Sequence, residues 1–231
     1  MISVIMPVYG RKEMIRTALD SYLTQTAESE LIIVDNGSYE DMYPVISEYM
    51  AKDSRIQYFK NEKNMGQAYA NNMAMTLAKG DIICQLHTDD ILAKDVLLKR
   101  IEWHEKTGAE VIYTDWAKIF VDGEAYYVEK PEMSAPVNII KKEHINFLTL
   151  SWKLSILDRV GNFDTDYRAY FDWDWKIRLS MECSVAYVPE VSVFYRVHSD
   201  QLSVKCRTDG TNEKEYALMR EKMKARYGGL F

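Results

Sequence analysis

The sequence predicts an α/β fold built on an open, mostly parallel sheet flanked by helices. Three observations predict it. Short apolar runs alternate with amphipathic segments of helical period through the first half of the chain, and strands that alternate with helices need crossover connections and hence parallel pairing. The apolar runs lack a polar face, as strands covered on both sides do. Each run also stops at turn-forming or acidic residues, namely Pro7-Val8-Tyr9, Asp35-Asn36-Gly37-Ser38 and His87-Thr88-Asp89-Asp90. In open α/β sheets, ligands bind beyond the C-terminal ends of the strands, so these three stretches are where a site is expected.

The elements follow in order. Ile2 to Met6 reads as a buried strand ended by Pro7. Residues 11–24 place Met14, Ile15, Ala18, Leu19, Tyr22 and Leu23 at helical spacing. Strands are expected at 31–34, 56–59 and 81–86, and helices at 42–50, 67–77 and 94–106. A strand at 111–115 precedes a hairpin whose arms, 117–121 and 125–128, flank Asp122-Gly123. Residues 130–136 read as a loop. A helix over 171–181, strands at 185–188 and 193–197, and a charged amphipathic helix over 211–227 complete the chain. Asn212 and Glu215 have the spacing of a capping box. With no repeat, linker or low-complexity tract, the simplest organisation is one domain over 1–231. It divides into a ligand-binding half (1–115), a second half (116–205) and a C-terminal helix (206–231).

Composition narrows the function. The chain has 231 residues, 47% of them hydrophobic, and a formal net charge of −6, enough for a sizeable core. It has no long basic run, which argues against nucleic acid as a partner. Its three cysteines, Cys84, Cys183 and Cys206, form no CxxC pair; a zinc site or disulfide framework is not expected, and reduced thiols in the cytoplasm are. No apolar stretch reaches the roughly 20 residues that span a bilayer, and the strand-like start lacks the basic region of a signal peptide. Arg220, Lys222, Lys224 and Arg226 near Met223 and Tyr227 give the last helix a basic, amphipathic character. That character fits peripheral contact with the inner face of the membrane as well as it fits a solvated surface.

Carboxylates carry the expected chemistry. Adjacent Asp89 and Asp90 just past a strand suit a hard divalent cation, which takes oxygen ligands and neighbouring phosphates and neutralises a departing diphosphate. A separate carboxylate can accept a proton from an attacking hydroxyl. Together these parts describe transfer of a group from a nucleoside diphosphate. Each also has a purely structural reading. Asp35 can make an Asx-turn. Asp174 stands four before Arg178, and Asp172 four before Lys176, so both are placed for ion pairs within a helix. Trp173 and Trp175 suit a sugar face or the core. His198, after the last strand, is most often a satisfied side chain.

The run Val4-Ile5-Met6-Pro7-Val8-Tyr9, then Gln25-Thr26, then Ile32-Ile33-Val34-Asp35-Asn36-Gly37-Ser38, closely resembles the opening of family 2 glycosyltransferases of GT-A fold. Asn64-Met65-Gly66 with Ala70 and Asn72 resembles the next block of that family. Gly80-Asp81-Ile82-Ile83 leading to Thr88-Asp89-Asp90 resembles its metal-binding DxD region, Gly161-Asn162-Phe163-Asp164 with Asp172-Trp173-Asp174 its acceptor-side block, and Tyr195-Arg196-Val197-His198 its closing block. The likeness runs in order from residue 2 to about 203.

The resemblance implies a nucleotide-binding, Rossmann-like N-terminal half and an inverting transfer of one sugar from a nucleotide-diphosphate sugar, with uridine the commonest carrier. The acceptor would be a saccharide or lipid-linked saccharide hydroxyl in cell-surface polysaccharide or glycolipid synthesis. It implies that Asp35 binds the base beside Pro7, Val8 and Tyr9, and that Asn64 and Gly66 join the nucleotide-sugar contacts. Asp89 and Asp90 would hold Mn²⁺ or Mg²⁺, with Asp89 also touching the donor, and His198 would come to the metal or diphosphate as the C-terminal loop closes. Asp172 would be the base.

This sequence departs from the family pattern at Asn36, His87, Asn71 and Phe171, where Asp, Asp, Arg and Glu are common. It also lacks the Gln-x-x-Arg-Trp block of processive synthases. Two other readings stay open: a non-catalytic nucleotide-sugar-binding module, and a nucleotidyltransferase. The second is disfavoured by a single glycine in Tyr9-Gly10-Arg11-Lys12 where a phosphate cradle needs several. A nicotinamide enzyme is disfavoured by the missing GxGxxG.

Overall fold

A computed structural model describes residues 1–120, 126–130, 145–202, 205–206 and 209–228. Strands β1 (Ile2–Val8), β2 (Ser29–Asp35), β3 (Ile56–Lys60) and β4 (Ile82–Gln85) alternate with helices α1 (Ile15–Leu23), α2 (Tyr43–Met50) and α3 (Gln67–Leu77). They form the parallel ladder β3-β2-β1-β4. The period-2 geometry of a strand divides each between two cores. Val4 and Met6 of β1, Leu31 and Ile33 of β2, and Cys84 of β4 pack with α1 and α2. Ile5, Ile32, Val34 and Ile83 face the opposite way, toward α3 and the C-terminal helices. Helices therefore cover both faces, and the unbroken apolar runs are explained.

Beyond β4 the sheet becomes mixed. A three-residue strand, β8 (Ser151–Lys153), wedges antiparallel between β4 and β6 (Val111–Phe120). β6 runs parallel to β9 (Val185–Val197), and a two-residue strand, β5 (Ile91–Leu92), closes the order against β9. β7 (Tyr126–Glu129) pairs with Trp116 to Ile119 of β6. This is the expected hairpin; its turn around Asp122-Gly123 and residues 131–136 of the expected loop lie outside the described residues.

Four expectations change. The strand expected at 111–115 and the hairpin arm expected at 117–121 are one strand, β6. The two strands expected at 185–188 and 193–197 are one, because the chain bulges instead of breaking. Thr114 pairs with Val188 and Asp115 with Val191, leaving Pro189 and Glu190 outside the ladder; Pro189 has no N–H to give it. The helix expected from residue 11 starts at Ile15, because Arg11 takes a left-handed φ of 66° that no helix accommodates. The capping box is absent: Gly210 caps the C-terminal helix (Thr211–Tyr227) with no side-chain bond, and Glu215 is used elsewhere.

Helix α4 (Val96–Thr107) packs its face onto β6 and β9. A four-residue helix, α5 (Leu157–Val160), leads to α6 (Phe171–Glu182), and α7 (Thr211–Tyr227) packs over α6 through Met219 and Met223. The basic residues of α7 are largely taken up by the fold. Lys222 bridges Asp164 and Asp166, Arg226 pairs with Glu182, and Arg220 lies over the Tyr216 ring. No helix among the described residues is long and apolar enough to cross a membrane.

One buried group makes stability depend on pH. His104 of α4 is 3% exposed, its ring nitrogens 3.0 Å from the Ala109 carbonyl and 3.0 Å from Ser151 Oγ. Burial lowers its pKa from 6.5 to about 4. A pKa depressed on folding stabilises the native state fully above the unfolded value and progressively less as pH falls from it toward the folded value. Urea unfolding should therefore show a loss of about 2 kcal/mol between pH 7 and pH 5 that is missing from the pH dependence of His104→Gln.

Candidate active site

The loops that follow β1, β2 and β3 are sewn into one wall. The Gly10 N–H donates to Ser38 Oγ at 2.9 Å, and the Arg11 N–H to Glu40 Oε1 at 3.1 Å. Asp35, at the end of β2, is fully buried. Its Oδ1 accepts the Ser38 N–H at 2.8 Å and its Oδ2 the Tyr58 hydroxyl at 2.7 Å. The turn passes so close to the next loop that a Cβ on Gly37, at φ 66°, would sit 2.4 Å from the Lys63 carbonyl carbon. Asn36 then pins that loop, donating to Asn64 Oδ1 and the Gly66 carbonyl and accepting from Asn61 Nδ2 and the Met65 N–H.

Thr88 to Asp90 form the floor. Asp89 is 5% and Asp90 1% exposed. Arg196 of β9 holds this turn, its guanidinium donating to the Met14, Thr88 and Asp89 carbonyls and its backbone N–H to Asp90 Oδ1 at 3.0 Å. Arg11 makes an ion pair with Asp89 Oδ2 and donates to the Asp200 carbonyl. His198 Nε2 lies 3.0 Å from the same Asp89 oxygen, while its Nδ1 accepts the Asp200 N–H at 3.2 Å. Burial pushes the Asp89 carboxyl up, but Arg11, His87 and the His198 hydrogen bond outweigh it and leave the pKa below the usual range. Burial, then the neighbouring Asp89 charge, raises Asp90 well above it. Asp90 Oδ2 is buried with no hydrogen-bond partner. Such an atom needs a proton or a cation. The donor atoms of His87, Asp89 and Asp90 all lie within 4.8 Å of one another, a set that fits a divalent cation.

The opposite wall is the N-terminus of α6. Asp172 stands in its first turn, with Oδ2 accepting from Lys176 Nζ at 3.0 Å; that lysine also donates to the Ile145 carbonyl. The preceding loop is held by Glu215 of α7, whose carboxylate accepts the N–H groups of Arg168, Ala169 and Tyr170 at 2.6, 2.9 and 2.8 Å. A carboxylate at the start of a helix also complements its dipole. Trp173 lines the cleft and packs with Tyr170 and Tyr216 at centroid distances of 5.2 and 5.6 Å. Trp175, two residues on, points into the core and is fully buried.

Between these walls lies a cleft of about 860 Å³. Of the residues expected at a site, it brings together Pro7, Val8, Tyr9, Asn64, Gly66, Asp89, Asp90 and Asp172. His198 reaches the cluster through Asp89, both of its ring nitrogens being committed to hydrogen bonds. Asp35 is not brought into the cleft lining; it stands one residue behind Asn36, which is. Arg11 was not singled out from sequence, since a left-handed arginine has no signal of its own. Arg196, part of the Tyr195-Arg196-Val197-His198 block, braces the acidic turn.

The profile of the family described as Glycosyl transferase family 2 matches residues 3–162. The chain belongs to that family. One relative in it, the UDP-Glc:alpha-D-GlcNAc-diphosphoundecaprenol beta-1,3-glucosyltransferase WfaP of Escherichia coli, is 30% identical over 212 residues, 88% of this chain and 80% of that one. Two solved structures share the fold. TarS 1–349 of S. aureus in complex with UDP-GlcNAc superposes with a TM-score of 0.73 at 18% identity, over 87% of this chain and 59% of that one. The mannosyltransferase PcManGT of Pyrobaculum calidifontis, in complex with GDP-Man and Mn²⁺, has a TM-score of 0.72 at 20% identity, over 95% and 64%. This glycosyltransferase chain thus spans less than two thirds of either solved chain. The two neighbours give it a GT-A fold.

The Glu215 contact gives a direct test of how the family 2 site is held. Replacing Glu215 by Gln puts an N–H₂ against backbone donors, so chemical denaturation should report a loss of about 2 kcal/mol. The same substitution on the exposed neighbour Lys214 should leave stability within about 0.5 kcal/mol.

Proposed function

We propose that this protein is an inverting, metal-dependent glycosyltransferase that moves one sugar from a uridine-diphosphate sugar to a hydroxyl of a saccharide or lipid-linked saccharide acceptor. The observation that carries the reading is a single cleft with a buried carboxylate pair on its floor and a lysine-held carboxylate, Asp172, on one wall. A covalent route needs an enzyme carboxylate placed to attack the sugar's anomeric carbon itself, whereas one base facing a leaving-group site suits direct displacement.

Each residue then has a task. The wall of Pro7, Val8 and Tyr9 with Asn36 and the Asn64–Gly66 loop receives the nucleoside. Asp35 acts from behind it, holding the Asn36–Ser38 turn through Ser38 and Tyr58. Asp89 and Asp90 hold Mn²⁺ or Mg²⁺, which when bound neutralises the charge that builds on the diphosphate. His198 and Arg11 orient Asp89. At the far wall the acceptor hydroxyl forms a bond to C1 of the donor sugar, the C1–oxygen bond to the diphosphate breaks with its electron pair leaving on the diphosphate, and Asp172 accepts the hydroxyl proton. Lys176 and the first turn of α6 fix where that carboxylate points.

The uridine carrier is supported by the relative named for UDP-Glc and by the neighbour solved with UDP-GlcNAc. The same relative is named for a lipid-diphosphate acceptor, which favours cell-surface polysaccharide or glycolipid synthesis and a cytoplasmic enzyme working at the membrane face.

Asp172→Asn keeps the shape and removes the base, so transfer should fall by about 100- to 10,000-fold while calorimetry gives an unchanged affinity for the nucleoside diphosphate. Full activity in that variant would remove the base assignment. Proton NMR of the product should show the anomeric configuration opposite to the donor's; retention would contradict single displacement.

A further inference from the structure

Within that reading, and resting on its metal site, one residue is unaccounted for. His87 opens the acidic turn at a position where an oxygen ligand is the common pattern. We propose that His87 is a direct ligand of the cation through Nδ1, and that this nitrogen makes the site prefer Mn²⁺ to Mg²⁺.

Three features of the geometry point to it. First, His87 Nδ1 stands 3.7 Å from Asp90 Oδ2. That is too long for a hydrogen bond. Two ligands each about 2.1 Å from one octahedral ion are about 3 Å apart when adjacent and about 4 Å when opposite, so 3.7 Å suits two atoms flanking a single cation. Second, Asp90 Oδ2 is the buried atom without a partner, on a side chain only 1% exposed. The space between it and the ring nitrogen is where its missing partner belongs. Third, Nε2 is engaged from behind, on the side away from the carboxylates. His87 Nε2 lies 3.1 Å from Oε1 of Gln85, which is fully buried on β4. An amide oxygen only accepts, so a hydrogen on Nε2 has an acceptor there, and Nδ1 is the ring nitrogen left facing Asp90 for a cation. Gln67 presents its amide nitrogen to the same Nε2 at 3.0 Å; that side chain is less buried, and its amide would turn over when Nε2 carries the hydrogen. A ring nitrogen fixed by a hydrogen bond on its far side is how ligating histidines are usually held.

His198 does not compete for this role. Its Nδ1 accepts the Asp200 N–H, so its Nε2 donates to Asp89 and no lone pair remains. The consequence for selectivity follows from donor type. Mg²⁺ favours oxygen ligands and near-ideal octahedral geometry, whereas imidazole is a better ligand for transition metals. A site of one nitrogen and two carboxylates therefore discriminates against Mg²⁺ more than an all-carboxylate site would.

The test is Mn²⁺ titrated into the whole protein with uridine diphosphate present, read by electron paramagnetic resonance. Bound Mn²⁺ should show nitrogen-14 modulation in the pulsed experiment. His87→Asp should still bind Mn²⁺ but lose that modulation, and its ratio of Mn²⁺ to Mg²⁺ affinity should drop by about tenfold. His198→Gln should keep the modulation. Bound Mn²⁺ without nitrogen coupling, or coupling that survives His87→Asp, overturns the assignment and leaves the metal site standing. A wild-type protein that retains no Mn²⁺ overturns both.

Discussion

The structure depends on one awkward fact: two adjacent carboxylates, Asp89 and Asp90, are buried together. Neither can be stripped of water and left charged without a partner, because the desolvation of an unpaired ion costs several kcal/mol. The fold answers with positive charge and donors from three directions. Arg11 comes from the turn after β1, His198 from the end of β9, and the Arg196 backbone and guanidinium from β9 itself. These contacts draw the first strand loop and the C-terminal segment onto the same turn. The remaining deficit, one oxygen of Asp90, is what a cation would satisfy. Site formation and cation binding are then two views of one electrostatic requirement.

The opposite wall is built by a different device. Asp172 has its compensating charge in Lys176, and the loop before it is fixed by Glu215, which gathers three successive backbone N–H groups just before α6. Because Glu215 belongs to α7, that helix helps set the wall that carries Asp172, and its Lys222 and Arg226 are spent on Asp164, Asp166 and Glu182. The same division appears in the aromatics. Trp173 and Trp175 differ by two positions on one helix and so point to opposite sides, one to the cleft and one to the core.

The first four strands and three helices were legible because each run is long enough to carry its period, and because both faces of the sheet are buried. The order of acidic and turn residues at the strand ends then located the cleft. The stretch from Ile145 to Val160 was not legible, since β8 is three residues long and exists only by pairing with β4 and β6. The single strand β9 read as two because Pro189 marks a break locally, while ten register pairs with β6 hold the strand together. Asp35 was legible as a turn residue but not as a buried one; its partner Tyr58 sits on β3, a contact set by sheet register. Glu215 had the right local spacing for a cap of its own helix, and a tertiary demand took it instead.

The most direct test of the central claim, that a cation held by Asp89 and Asp90 and a nucleoside diphosphate complete this site together, is a thermal-shift measurement with uridine diphosphate and Mn²⁺ added separately and jointly. A ligand that binds only the native state raises its melting temperature according to concentration and affinity. The account predicts a shift for the pair that clearly exceeds the sum of the two separate shifts and that vanishes on chelation of the metal. A shift from uridine diphosphate that is equally large with a chelator present would contradict it.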